Sequence, residues 1–193
     1  MNSAVIDIRQ FKNLRLHGGF IVKDIELTDA SIMDAIGREA VAQTRAIARE
    51  LRLLIRAGLS EEELSITLYH EILEAASVAI ANPPAGVMDF NEADFEQAAR
   101  DAHERWGNAS PASLNLLCNF MDFEENELMV DRDKIQFDLI KLANGGRILR
   151  LTEPRSGLAL EKKLAPADAV VRQKEKLLRA FEAALARVEL AAA

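Results

Sequence analysis

The sequence predicts an α+β chain, because three textures follow one another along its 193 residues. Short β-branched, partly alternating stretches open it, capped segments of helical period fill the middle, and a second alternating stretch followed by one helix closes it. These textures imply a helical domain with a short N-terminal sheet over residues 1–128, then a small three-stranded meander plus helix over 129–193.

The elements are justified in turn. "AVIDIRQF" and "GGFIVKDIEL" read as one or two short strands separated by a turn at His17-Gly18-Gly19, with His17 a loop residue. From Thr28 or Asp29 as N-cap, Ile32, Ala35, Ile36, Ala40, Val41 and Ile47 fall at helical spacing, which predicts a long helix ending near Glu50. "LRLLIRAGLS" alternates Leu51, Leu53 and Ile55 with Arg52 and Arg56, a strand in preference to the last turns of that helix. Ser60 and Glu63 form a capping box for a helix that runs until about Asn82, where Pro83-Pro84 stops it. Asn91 caps a helix ending at Gly107, and Ser110-Pro111 starts another. The acidic "DFEENE" reads as a linker. Beyond it, Ile135, Phe137 and Leu139, then Leu149 and Leu151, then Leu158 and Leu160 alternate between two turns, which makes a meander. After Pro166, a helix with Val170, Leu177, Leu178, Phe181, Leu185 and Val188 on one side would cover it.

Composition excludes several classes of function. No run approaches the roughly 20 apolar residues of a membrane span, and the N-terminus lacks the apolar core of a signal peptide, so a soluble cytoplasmic protein is expected. The first 128 residues carry 11 Lys and Arg against 22 Asp and Glu, and the rest carry 13 against 9. A basic second part without clustered cations or interleaved aromatics is a poor phosphate footprint, so nucleic acid is not the expected partner; attraction between the two parts explains the asymmetry. The lone Cys118 lies on an apolar periodic face and reads as a small buried hydrophobe. There is no G-x-G-x-x-G, Walker or G-x-S-x-G motif, and Gly145-Gly146 is a hairpin turn.

The stretch that carries chemistry is "TLYHEILEAAS" on the Ser60 helix. Glu63, Thr67, His70, Glu74 and Ser77 form a narrow polar strip between two apolar flanks, so its charges need partners. The i, i+4 spacing of His70 and Glu74 lets both reach one Zn²⁺, with Glu71 placed to act on water at that metal. The next helix offers Glu92, Glu96 and His103 on one face as further ligands. His70, Glu74 and His103 would also make a two-histidine, one-carboxylate triad for Mn²⁺ or Fe²⁺.

"GLSEEELSITLYHEILEAAS" with "FNEADFEQAA" resembles the zincin metallopeptidases, in particular the gluzincin-like and ImmA/IrrE-like families, over about residues 50–105. The resemblance implies His70 as first zinc ligand, Glu71 as general base, and Glu92 as the later ligand, with Glu96 either an outer acidic group or the ligand in its place. Glu74 stands where the motif has its second histidine. A carboxylate there puts more negative charge on zinc, which weakens its power to acidify water. The expected function is a zinc-dependent, peptidase-like protein acting on a peptide or protein; the alternatives are a catalytically inactive relative and a helical interaction module.

Overall fold

A computed structural model describes residues 5–123 and 134–192. Residues 124–127 of the expected linker, and the expected boundary at 128, lie outside them. The strands are β1 (Leu14–Arg15), β2 (Ile21–Thr28), β3 (Ile32–Met33), β4 (Glu39–Ile47), β5 (Glu50–Arg56), β6 (Gln136–Leu142), β7 (Arg147–Thr152) and β8 (Ala159–Leu164). The helices are α1 (Glu61–Ala79), α2 (Glu92–Trp106), α3 (Pro111–Phe120) and α4 (Val170–Ala192). All the strands belong to one eight-stranded sheet in the order β1-β2-β5-β4-β6-β7-β8, with β3 paired to β4 off this path. Among the described residues only β2 and β5 pair in parallel. No helix among the described residues is long and apolar enough to cross a membrane.

The expectation of a helical zincin-like domain with a short N-terminal sheet is overturned. The protein is α+β, but a strand-rich mixed sheet is its centre, and the meander β6–β8 extends that same sheet by the pairing of β6 with β4. The error traces to residues 28–50, which form strands and not a long helix. Alanines give this stretch high helix propensity, yet Ala40, Ala42, Thr44 and Ala46 are all buried while Gln43 and Arg45 between them are not. Pairing β4 on both sides, to β5 and β6, satisfies its backbone along almost its full length and outweighs that propensity. A tight turn ends the stretch's helical pretensions: Gly37 has φ +83°, and the Asp34 carboxylate accepts from the backbone N–H groups of Ile36 and Arg38 at 3.0 and 2.8 Å. "IRQF", read as strand, is a short 3-10 turn.

The other elements follow their local signals. Ser60 accepts from Glu63 N–H while the Glu63 carboxylate accepts from Ser60 N–H, and α1 begins there. Asn91 and Ser110 cap α2 and α3 in the same way, and Gly107 ends α2. Cys118 is fully buried, and burial pushes its thiol up to about 12. On α4, Val170, Leu178 and Phe181 are buried as the pattern requires, whereas Val188 is exposed.

α1 is the central helix. Of its residues from Leu64 to Val78 only Thr67 escapes full burial, because the helix is enclosed by β4, β5 and β6 on one side and by α2, α3 and α4 on the others. Alternation decides which strand residues meet it: Leu51, Leu53 and Ile55 of β5, Thr44 and Ala46 of β4, and Phe137, Leu139 and Lys141 of β6 share its side of the sheet. A separate small core of Ile32, Ala40, Ile140, Leu142 and Ile148 lies on the other side. Ile72 is fully buried in the main core. Ile72→Ala should therefore cost about 2–5 kcal/mol, read as a lower denaturation midpoint at unchanged slope.

Candidate metal centre

Every ionisable group of the α1 motif is buried: His70, Glu71 and Glu74 are each about 1% exposed. Each points at a different neighbour, since successive helix residues are rotated by about 100°. Glu71 faces the sheet, where Thr44 Oγ1 donates to its Oε2 at 2.6 Å and the Lys141 ammonium stands 2.8 Å from its Oε1. Glu74 Oε1 accepts from Nη2 of Arg147 on β7. His70 faces α2, with Nε2 3.5 Å from Glu74 Oε2 and 3.7 Å from Glu92 Oε2, and with Nδ1 3.5 Å from Glu96 Oε2.

His70, Glu74 and Glu92 thus present ligand atoms that all lie within 4.8 Å of one another. Donors held at roughly 2.0–2.1 Å around a tetrahedral zinc stand about 3.3 Å apart, so the 3.5 and 3.7 Å separations are close to those a zinc ion would draw together. Neither ring nitrogen of His70 makes a hydrogen bond, although both are buried. The donor set therefore fits a divalent cation. Arg147 braces the two carboxylates: it holds Glu74 by Oε1 and so turns Oε2 toward His70, and its Nε stands 2.7 Å from Glu92 Oε2.

The alternatives separate in space. Glu96 lies on the opposite ring nitrogen from Glu92 and pairs with Arg100 at 2.6 Å. His103 is elsewhere: its Nδ1 meets Ser65 Oγ at 2.9 Å, and Ser65 in turn accepts from Ala109 N–H, which pins the end of α2 to α1.

Sequence reading missed Thr44, Lys141 and Arg147. Alternation already carried the signal for the two cations: two residues beyond Phe137 and Leu139 comes Lys141, and two before Leu149 comes Arg147, paired across the hairpin. A cation on an otherwise apolar strand face calls for a buried anion. Beside this cluster lies a pocket of about 550 Å³, lined by Glu92, Lys141 and Arg147 and rimmed by Val41, Gly145 and Gly146.

Four carboxylates, Glu71, Glu74, Glu92 and Glu96, meet three permanent cations, Lys141, Arg147 and Arg100. One more positive charge completes the balance. Burial by itself would lower the His70 imidazole, but Glu74 and Glu96 outweigh it and lift the ring to about 9. Burial would likewise raise Glu74, but His70, Arg147 and Lys141 hold it well below the ordinary carboxylate range. Glu96 is held at about 2, first by the His70 ring and also by Arg100.

Two outcomes follow for protein kept in chelator. The folded His70 value lies above the ordinary 6.5, so its contribution is fully present below about pH 6.5 and is lost as pH rises through 9. Denaturation free energies at pH 6.5 and 9.5 should fall by on the order of 2–3 kcal/mol in the wild type, and distinctly less in His70→Gln. Arg147→Met strands the buried Glu74 charge and should cost about 3–5 kcal/mol, much of it recovered when Glu74→Gln is added. Compared with known protein families, with curated proteins and with solved structures, the chain finds no match in any of the three.

Proposed function

We propose that the protein is a metal-dependent, peptidase-like hydrolase in which His70, Glu74 and Glu92 hold a zinc ion and Glu71 acts as general base. The observation that carries this reading is the convergence of His70 Nε2, Glu74 Oε2 and Glu92 Oε2 in one place, beside a histidine whose ring nitrogens make no hydrogen bond. Zinc held there would supply a Lewis acid for an amide carbonyl and bring the pKa of water toward about 7. Glu71 then takes a proton from the attacking water and passes it to the leaving amine, as the water oxygen bonds the carbonyl carbon and the C–N bond breaks. Thr44 donates to Glu71 Oε2, and Glu71 Oε1 lies 2.8 Å from the Lys141 ammonium, so both oxygens are held in place. Arg147, already anchored on Glu74, fixes the ligand geometry.

A second reading rests on the charge balance described above. With the His70 proton as the fourth cation, the network closes without metal and serves as an ionic staple between α1, α2 and the sheet. That is the catalytically inactive alternative.

Metal analysis after equilibration with Zn²⁺ separates the two. One equivalent in the wild type, lost in His70→Ala and in Glu74→Ala, supports the metal centre; no stoichiometric uptake sinks it. Glu71→Gln should keep the metal and lower peptide hydrolysis by about 10²–10⁴-fold. Retained metal with no hydrolysis in the wild type would leave a binding protein rather than an enzyme.

A further inference from the structure

The pocket beside the cluster has a composition of its own. Val41, Leu142, Leu164 and Pro166 give it apolar walls, and its charged lining is three cations, Lys141, Arg147 and Lys163, against two carboxylates, Glu92 and Asp168. Its volume of about 550 Å³ suits a small molecule or the end of a chain, not the middle of an extended polypeptide.

Lys141 and Arg147 both have donors to spare. An ammonium carries three N–H groups, and Lys141 directs itself at two acceptors, Glu71 Oε1 at 2.8 Å and Glu92 Oε1 at 3.5 Å. Its side chain is 24% exposed, the most open of the fixed cations in the network's interior. Arg147 is more than nine-tenths buried; Nη2 and Nε meet Glu74 and Glu92, and Nη1 has no hydrogen-bond partner. Arg147 lines the pocket, and its Nη1, shielded from solvent, lacks an acceptor.

We infer that this pocket binds the carboxylate of a substrate with an apolar body, through Lys141 Nζ beside Arg147, so that the bond cleaved lies next to a free chain end. The inference rests on the hydrolase reading for the word substrate, but the pocket's preference is measurable without turnover.

The probes are N-acetyl-leucine and N-acetyl-leucinamide, titrated by calorimetry and by the amide resonances of Val41, Gly145 and Gly146, in Zn²⁺-loaded and in chelated protein. The acid should bind at least about tenfold more tightly than the amide in both forms, because a charge-assisted hydrogen bond is roughly twice as strong as a neutral one. Lys141→Met should bring the two within about twofold of each other. Val41→Trp, which leaves the ion network intact, should abolish binding of both and settles the matter if Lys141→Met does not fold. Equal binding of acid and amide, or discrimination that survives Lys141→Met, overturns the inference, as does binding untouched by Val41→Trp. Zinc uptake without discrimination overturns the pocket and leaves the metal centre standing. Discrimination in chelated protein that takes up no zinc leaves the pocket standing and removes the hydrolase.

Discussion

A helix that carries a histidine and two carboxylates into a fully enclosed position sets the terms for everything around it. Uncompensated, each charge buried with His70, Glu71 and Glu74 would cost several kcal/mol, more than a protein of this size can absorb from its net stability. The sheet answers with Thr44, Lys141 and Arg147, each from a different strand, and α2 answers with Glu92 and Glu96 on the exposed side of His70. Apolar packing of α1 is thus conditional on this polar complement. The narrow strip of polar residues on α1 is where the sheet, α2 and α1 are tied together.

The cluster also differs in geometry from a simple core ion pair. A simple staple needs each carboxylate to face its cation. Here Glu74 turns one oxygen to Arg147 and the other to His70, and Glu92 stands between Arg147, Lys141 and His70. Oxygens held in place by outer cations and aimed at an imidazole are the arrangement a metal ion requires of its ligands. The proton on His70 fills the one positive place that the surrounding carboxylates leave open, and pH decides how strongly it is held.

Helix ends were the most legible part of the sequence. Ser60, Asn91 and Ser110 each bring their own hydrogen-bonding partner within three residues, so the signal is local and the structure repeats it. β4 was illegible for the opposite reason: its alanines favour helix locally, and the strands that claim it, β5 and β6, lie after it in the chain. The pairing of His70 with Glu74 could be read from spacing alone. The choice among Glu92, Glu96 and His103 could not, because all lie on one face of α2 and only the docking of that helix places Glu92 on one ring nitrogen, Glu96 on the other and His103 against Ser65. Lys141 and Arg147 were legible in principle, as cations continuing an apolar alternation, but their meaning depended on knowing that the meander joins the sheet beneath α1.

That junction has a consequence for how the chain is made. Arg147 lies 73 residues beyond the Glu74 it neutralises, and β6, the partner of β4, arrives after α1, α2 and α3 have all been synthesised. Until then β4 is an open edge, and the α1 carboxylates have no cation from β6 or β7 to bury against. The first two thirds of the chain therefore cannot reach the native arrangement by itself, and the decisive contacts are long-range ones that form late and slowly. An N-terminal fragment ending before Gln136 would keep β4, β5, α2 and α3 as partners of α1 but leave Glu71 without Lys141 and Glu74 without Arg147.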